Sequence, residues 1–344
     1  MTSKPRDLVT LEGASLARRR FLGATGRVGL LALGAPALAI EGATEAYGAT
    51  QRSYFGGSYG LLLDGAFAGY LTGFSGGNIV GEVVKVQPVG ADRVQRKHLG
   101  NSHAEQRTIE CGFPMSKSLL EWIKSSIEPG AKAPLKNGAI VEFDGTRKEM
   151  GRRNFFNAAI TEVEFPSCDA SSKDPARLTV TFQPEAVTLA AGTGVKPAAA
   201  PAARWLRSNF TLKIQGLEQA LTRTTAIDAI EVKLTGAGSG EIREPSKVPP
   251  AIDAANLNIT VADTMIGQIY QWHQEFVIKR TGKPRPGVLD YMTPDLKSVI
   301  LSLNFSNLGI IKVAPEALPA GTTSAVRRSR VEMYCEGVTI NSKI

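Results

Sequence analysis

The 344-residue chain is poor in the residues that usually do chemistry, with three histidines and three cysteines. Cys111, Cys168 and Cys335 are odd in number and nowhere form a CxxC pair, which argues against a disulfide framework and against a zinc site. Cys111 and Cys335 lie in strand-like stretches and read as small buried apolar residues. A nucleophile needs a base beside it, most often histidine. His98 and His103 share a basic loop with Arg96, Lys97 and Arg107, but no Asp or Cys pattern there completes a metal site. His273 follows Trp272 on a helix and reads as a surface or packing residue. The glycines of GFSGGNIVG lack the strand–turn–helix setting of a dinucleotide fingerprint, and no phosphate loop occurs. No carboxylate pair stands out as an acid–base couple. The expectation is therefore a protein that is not an enzyme, with no cofactor, no metal and no catalytic residue. Long apolar runs are missing too. The stretch from Val28 to Ile40 is too short to span a bilayer, so no stable membrane insertion is expected.

What is present is globular. Apolar residues make up 43% and charged residues 21%, values that predict packed cores instead of extended disorder. Glycine is abundant at 35 residues, and Thr, Val and Ile recur in alternating runs, a composition that favours strands joined by tight turns. The net charge of +8 suits either solubility or an anionic partner. Basic residues are not interleaved with aromatics, so nucleic-acid recognition is not the expected primary task.

The chain also repeats itself. SYGLLLDG at Ser58 is echoed by NFTLKIQG at Asn209, aligning Tyr59 with Phe210 at an offset of 151. EWI around Trp122 meets QWH around Trp272, and NFFN from Asn154 meets NFSN from Asn304, both at 150. AVTL, ending at Leu189, meets GVTI, ending at Ile340, at 151. Copies of this length are whole domains, well beyond solenoid units. The expected division is a segment at 1–57, a first domain at 58–190, a Pro/Ala-rich linker at 191–207 and a second, diverged domain at 208–344.

In the first copy, strands are predicted on either side of a turn at Asp64-Gly65, then at Ile79–Val89. A long exposed loop through ADRVQRKHLGNSHAEQ follows, and then the strand RTIECGF. Ser116 reads as the N-cap of the amphipathic helix KSLLEWIKSSIE, which Pro129-Gly130 stops. Further strands are expected at 138–143, 153–164 and 178–189. The second copy repeats the plan, but GAGSGEIREPSKVPPAIDA replaces the RKHLG loop. In the N-terminal segment, Arg18, Arg19, Phe21 and Leu22 fit a twin-arginine export signature, with Ala37-Leu38-Ala39 as a cleavage site. A flexible or interface-covering arm is the other reading.

The ordered series LLLDG, AGYLTGFSG, GEVVKVQ, RKHLG, MSKSLLEWI, NGAIVEFDG, RRNFFNAAITEVEFP and LTVTFQPEAVTL resembles the phage tail tube family. That family includes the tubes of contractile injection systems. The resemblance covers about residues 58 to 190; the second copy keeps the Trp272 helix and NFSN but not RKHLG. It implies a mainly β fold of two tandem tail-tube-like β-sandwich or barrel domains, each with one flanking α-helix. Six such domains close a ring, so a two-domain chain implies a homotrimer with pseudo-sixfold symmetry. Rings would stack into a tube meeting sheath, baseplate or spike proteins, with DNA or protein cargo passing only through the lumen. The particle would be assembled in the cytoplasm. A trimeric baseplate hub or tube-initiator protein is the rival role within the class, and an exported two-domain β-sandwich binding protein the rival outside it. The resemblance assigns Arg93, Arg96, Lys97 and His98 to the loop that reaches the adjacent ring. Trp122, Phe155, Trp272 and Phe305 read as helix-to-sheet packing residues. Asn154 and Asn304 read as strand-end residues bonded to backbone.

Overall fold

In the computed structural model the described residues are 58–86, 94–112, 116–130, 133–197, 205–236, 250–316 and 326–342. The twin-arginine-like segment, Arg93 and residues 198–204 of the expected linker lie outside them.

The first half contains β1 (Tyr59–Leu63), β2 (Ala66–Gly76), β3 (Ile79–Lys85), β4 (Lys97–Ala104), β5 (Arg107–Cys111), the helix α1 (Lys117–Ile127), β6 (Lys136–Phe143), β7 (Glu149–Phe165), the short β8 (Cys168–Asp169), β9 (Leu178–Gln183) and β10 (Ala186–Ala191). Alternation drives the strands: in β5 and β9 every second residue is buried, the pattern of a sheet with one face on a core. Asp64 and Gly65 both take positive φ, 47° and 84°, giving the two-residue turn that matches the twist of a hairpin. Antiparallel pairing runs β1–β2–β5–β9–β7–β6 and returns to β1, so the sheet closes into a six-stranded barrel and has no edge along that circuit. β10 adds to β7 outside the circuit.

The second half has β11 (Phe210–Ile214), the one-turn helix α2 (Glu218–Leu221), β12 (Thr224–Ile227), β13 (Ile230–Thr235), β14 (Ala251–Ala254), β15 (Leu257–Ala262), the helix α3 (Gly267–His273) running into a π turn at Gln274–Ile278, β16 (Arg285–Met292), β17 (Val299–Pro315), β18 (Arg328–Tyr334) and β19 (Gly337–Ser342). β7 and β17 are both 17 residues long and begin 150 positions apart. Their bulges recur at matching places, between Ile160 and Glu162 on β7 and between Ile310 and Lys312 on β17. One pairing differs. Among the described residues β11 does not pair with β12, because α2 occupies the place of the first hairpin; the circuit β11–β16–β17–β18–β15–β12 stays open there.

Ser116 caps α1 through its Oγ, which accepts from the Leu119 N–H at 3.4 Å. Leu119, Leu120, Trp122, Ile123 and Ile127 are buried on the face that turns inward. Two expectations change. Residues 97–104, read as part of a loop, form β4, because their backbone pairs with β3 even though β4 is largely polar and both strands are largely exposed. Trp205, placed in the linker, is a core residue whose ring stands edge-on to Tyr291 at 5.0 Å. Tyr291 in turn donates to the Pro166 carbonyl at 2.9 Å.

Candidate assembly interface

The two barrels are joined by strand pairing as well as by the chain. β13 lies antiparallel on the C-terminal half of β7, with Ile230 opposite Phe165, Glu231 opposite Glu164, Val232 opposite Val163 and Lys233 opposite Glu162. β14 completes the hairpin on its far side. The inner face of this junction is apolar: Ile230, Val232, Leu234, Val163 and Phe165 are all buried. A buried face of this kind fixes register, since a slip by one residue would turn every apolar side chain outward.

The outer face carries charge. Lys233 Nζ lies 2.8 Å from a Glu231 oxygen. Partial burial, then the hydrogen bond and repulsion of Glu231, push the Glu162 carboxyl above its ordinary range. Glu231, held by Lys233, is shifted down instead. Beyond the strands, α1 of the first barrel lies against β19 of the second. β12 also pairs with β8, Ala226 opposite Asp169 and Ile227 opposite Cys168.

β3 and β4 form the counterpart hairpin of the first barrel. Among the described residues they pair only with each other and make a separate two-stranded sheet. Lys97 and His98 sit on β4 opposite Lys85 and Val84, and Arg96 directly precedes the strand. All three side chains are exposed, as are the apolar Ile79, Val83, Val84 and Leu99. The hairpin therefore presents a mixed basic and apolar surface. Exposed apolar side chains on an uncovered strand mark an interaction surface or an aggregation hazard.

The packing residues lie inside the barrels. Trp122 donates through Nε1 to the Pro134 carbonyl at 2.9 Å, and its ring lies 5.6 Å from Phe182. Phe155 lies against the Phe182 ring at 4.9 Å. Trp272 is buried under the Arg285 guanidinium, 4.9 Å from the ring centre, and Phe305 is buried too. Asn154 corrects the expectation of a strand end. It sits mid-strand between Ala139 and Thr188, and its amide donates to the Thr188 hydroxyl at 3.3 Å instead of to backbone. Asn304 holds the same place between Val288 and Thr339.

One residue outside these sets stands out. Arg107 is fully buried in the first barrel, with Nη2 donating to the Gly77 carbonyl at 2.7 Å. Its Nε and Nη1 have no hydrogen-bond partner among the described residues. Burial, with repulsion from Arg153, lowers its pKa to about 10. A cleft of about 390 Å³ lies beside the junction, lined by Glu110, Glu164, Asp174, Arg177 and Arg207 among others, and Arg177 is paired with Glu110 at 3.3 Å. Among the described residues no group of three His, Cys, Asp or Glu side chains is placed to hold a metal ion. No described helix is long and apolar enough to cross a membrane.

The architecture defines a class, a mainly β chain of two barrels joined edge to edge. No protein-family model and no curated protein matches it. Among solved structures it is similar to the tube-terminating cap of the anti-feeding prophage, with 22% identity over 42% of this chain and 95% of that chain and a TM-score of 0.36. It is also similar to a chain of the PVC extracellular contractile injection system sheath–tube complex, with 21% identity, 43% and 97% coverage and a TM-score of 0.35. Hcp1 from Flavobacterium johnsoniae gives 15% identity, 39% and 96% coverage and a TM-score of 0.26.

Proposed function

We propose that this chain is a structural subunit of a phage-tail-like tube. Three copies close a ring of six barrels around a channel, and rings stack into the tube. The repeating units are the barrels at 58–190 and 208–344, products of a tandem duplication. One observation carries the reading: the chain already contains a barrel-to-barrel junction, β13 on β7, built from edge pairing and an apolar seam. Head-to-tail contacts of this kind are heterologous, and heterologous contacts form rings when the rotation closes. The β3–β4 hairpin, with Arg96, Lys97 and His98, is left to meet the adjacent ring, and Arg93, which lies outside the described residues, is assigned to the same contact. Charge complementarity there fixes the angle between rings. Sheath, baseplate or spike proteins are the partners at the tube's outside and ends, the lumen carries the cargo, and assembly takes place in the cytoplasm.

Light scattering and negative-stain microscopy of the purified protein test this. Rings with the mass of three chains, with stacks at higher concentration, are expected. A chain that remains monomeric at every concentration and ionic strength overturns the reading. Rings that never stack would assign the chain to a hub instead of a tube.

A further inference from the structure

In the second barrel β13 is a docked strand; in the first barrel its counterpart, β3, is not. The correspondence follows from backbone bonds. Ala254 pairs with Val232 as Ala104 pairs with Ile79, and the Ala255 N–H donates to the Glu231 carbonyl as the Glu105 N–H donates to that of Asn78. Structurally, then, Ile79 matches Val232, not the Ile230 that the 151-residue echo would assign. The acceptor is duplicated as well. Residues 312–315 of β17 pair with β18 along one edge, as 162–164 of β7 pair with β9, and among the described residues their other edge is bare. Val232 and Val163 are 0% exposed, whereas Ile79 is 57% exposed and Val313 only half-buried.

The same asymmetry appears a second time, in the helices. α1 lies against β19, and its Ile127 is 0% exposed while Ile340 of β19 is 2% exposed. In the π turn that continues α3 at the matching end, Val277 and Ile278 are exposed, and Leu189 of β10, the counterpart of Ile340, is 41% exposed. Four buried surfaces of the in-chain junction thus have four open counterparts on the same chain, two on each barrel.

Resting on the ring reading above, we infer that the junction between chains copies the junction within the chain. The β3–β4 hairpin of one copy docks on the β17 edge of the next, with Gly77 opposite Pro315, Asn78 opposite Ala314, Ile79 opposite Val313 and Val80 opposite Lys312. α3 of that next copy covers β10 of the first. Pro315 has no N–H and ends the available edge. The outer face brings Asn78 and Val80 against Lys312 and Ala314, so the repulsion between Glu162 and Glu231 has no counterpart at this seam. The occupant is a second copy of this chain because hairpin and edge match element for element a pair that is already docked.

Cysteines placed in the inferred register test this. In a Cys335→Ser background, Val80→Cys/Lys312→Cys should form disulfides between chains under mild oxidation, up to a covalent closed ring. Mixing the two single variants should give linked pairs, while each single variant alone gives none. Disulfide dimers from Val80→Cys alone would overturn the inference by showing a symmetric hairpin contact. As a second route, Ile79→Lys changes an exposed residue. It should leave circular dichroism and melting of the dissociated chain unchanged and lower the ring population at least tenfold. Wild-type rings without cross-linking of the double variant, or rings unaffected by Ile79→Lys, overturn this seam and leave the ring reading standing. A wild-type chain with no rings at all overturns both.

Discussion

Val163 and Val313 occupy the same position in the two barrels, and the seam argument requires them to respond differently to the same substitution. Val163 is fully buried between Val180 on β9 and Val232 on β13. Truncation to alanine removes two methyl groups from that site, about 1.6 kcal/mol at ~0.8 kcal/mol per buried carbon. The unfilled cavity adds up to about 1 kcal/mol, for a total of about 2 kcal/mol. In a chain of this size that lowers the melting temperature by about 3 °C. Val313→Ala acts on a half-buried side chain and should cost under ~1 kcal/mol in the dissociated chain. In the ring Val313 gains the environment of Val163, so the missing cost reappears as weaker association. The difference between the two environments, about 1 kcal/mol or more per seam, corresponds to at least roughly a fivefold rise in its dissociation constant. Thermal denaturation at concentrations where chains are single, together with mass photometry on dilution, measures the two terms separately. Equal melting losses for Val163→Ala and Val313→Ala, or unchanged association for Val313→Ala, would refute the reasoning.

Three further outcomes follow from groups already described. Arg107→Met removes a guanidinium with two unpartnered buried nitrogens, and it should hold or raise the melting temperature despite losing the bond to Gly77; a fall of more than about 2 kcal/mol in denaturant titration would show hidden compensation. Glu162 has a raised pKa in the folded chain, so its charge opposes folding. That cost is absent below the ordinary carboxylate value of about 4.3 and complete once pH exceeds the raised value. Glu162→Gln should therefore raise the melting temperature at pH 7 to 8 and not at pH 4, and an equal gain at both would count against a charge effect. Burial lifts the thiols of Cys111 and Cys168 to about 12, so native protein at pH 8 should leave both unlabelled by a thiol reagent while the half-buried Cys335 reacts; prompt labelling of all three would show that the barrels open readily.

The barrel strands and α1 were legible because each has a local signature: alternating burial in β5 and β9, Asp64-Gly65 at the first hairpin, Ser116 before a helical apolar face. Trp122 and Trp272, and Phe155 and Phe305, which the sequence echo aligns, are all buried. β4 was not legible, since HLGNSHA has Leu99 as its one large apolar residue and no alternation, and its strand state comes from pairing with β3. Trp205 was not either, because a tryptophan after a Pro/Ala run carries no mark of the Tyr291 ring it meets.

The amino-acid sequence by itself determined that this chain is mainly β, two tandem β domains with few helices, through periodicities of two and 3.6 residues and turn chemistry that act over short range. Which surfaces are already joined and which stand open was decided only by the tertiary structure. Strand pairing is set by backbone groups common to every residue, so β13 and β3 look alike as strings until one is docked on β7 and the other, among the described residues, pairs with β4 alone. The partner of an edge depends on where the rest of the chain has folded, and that information is held in no single segment.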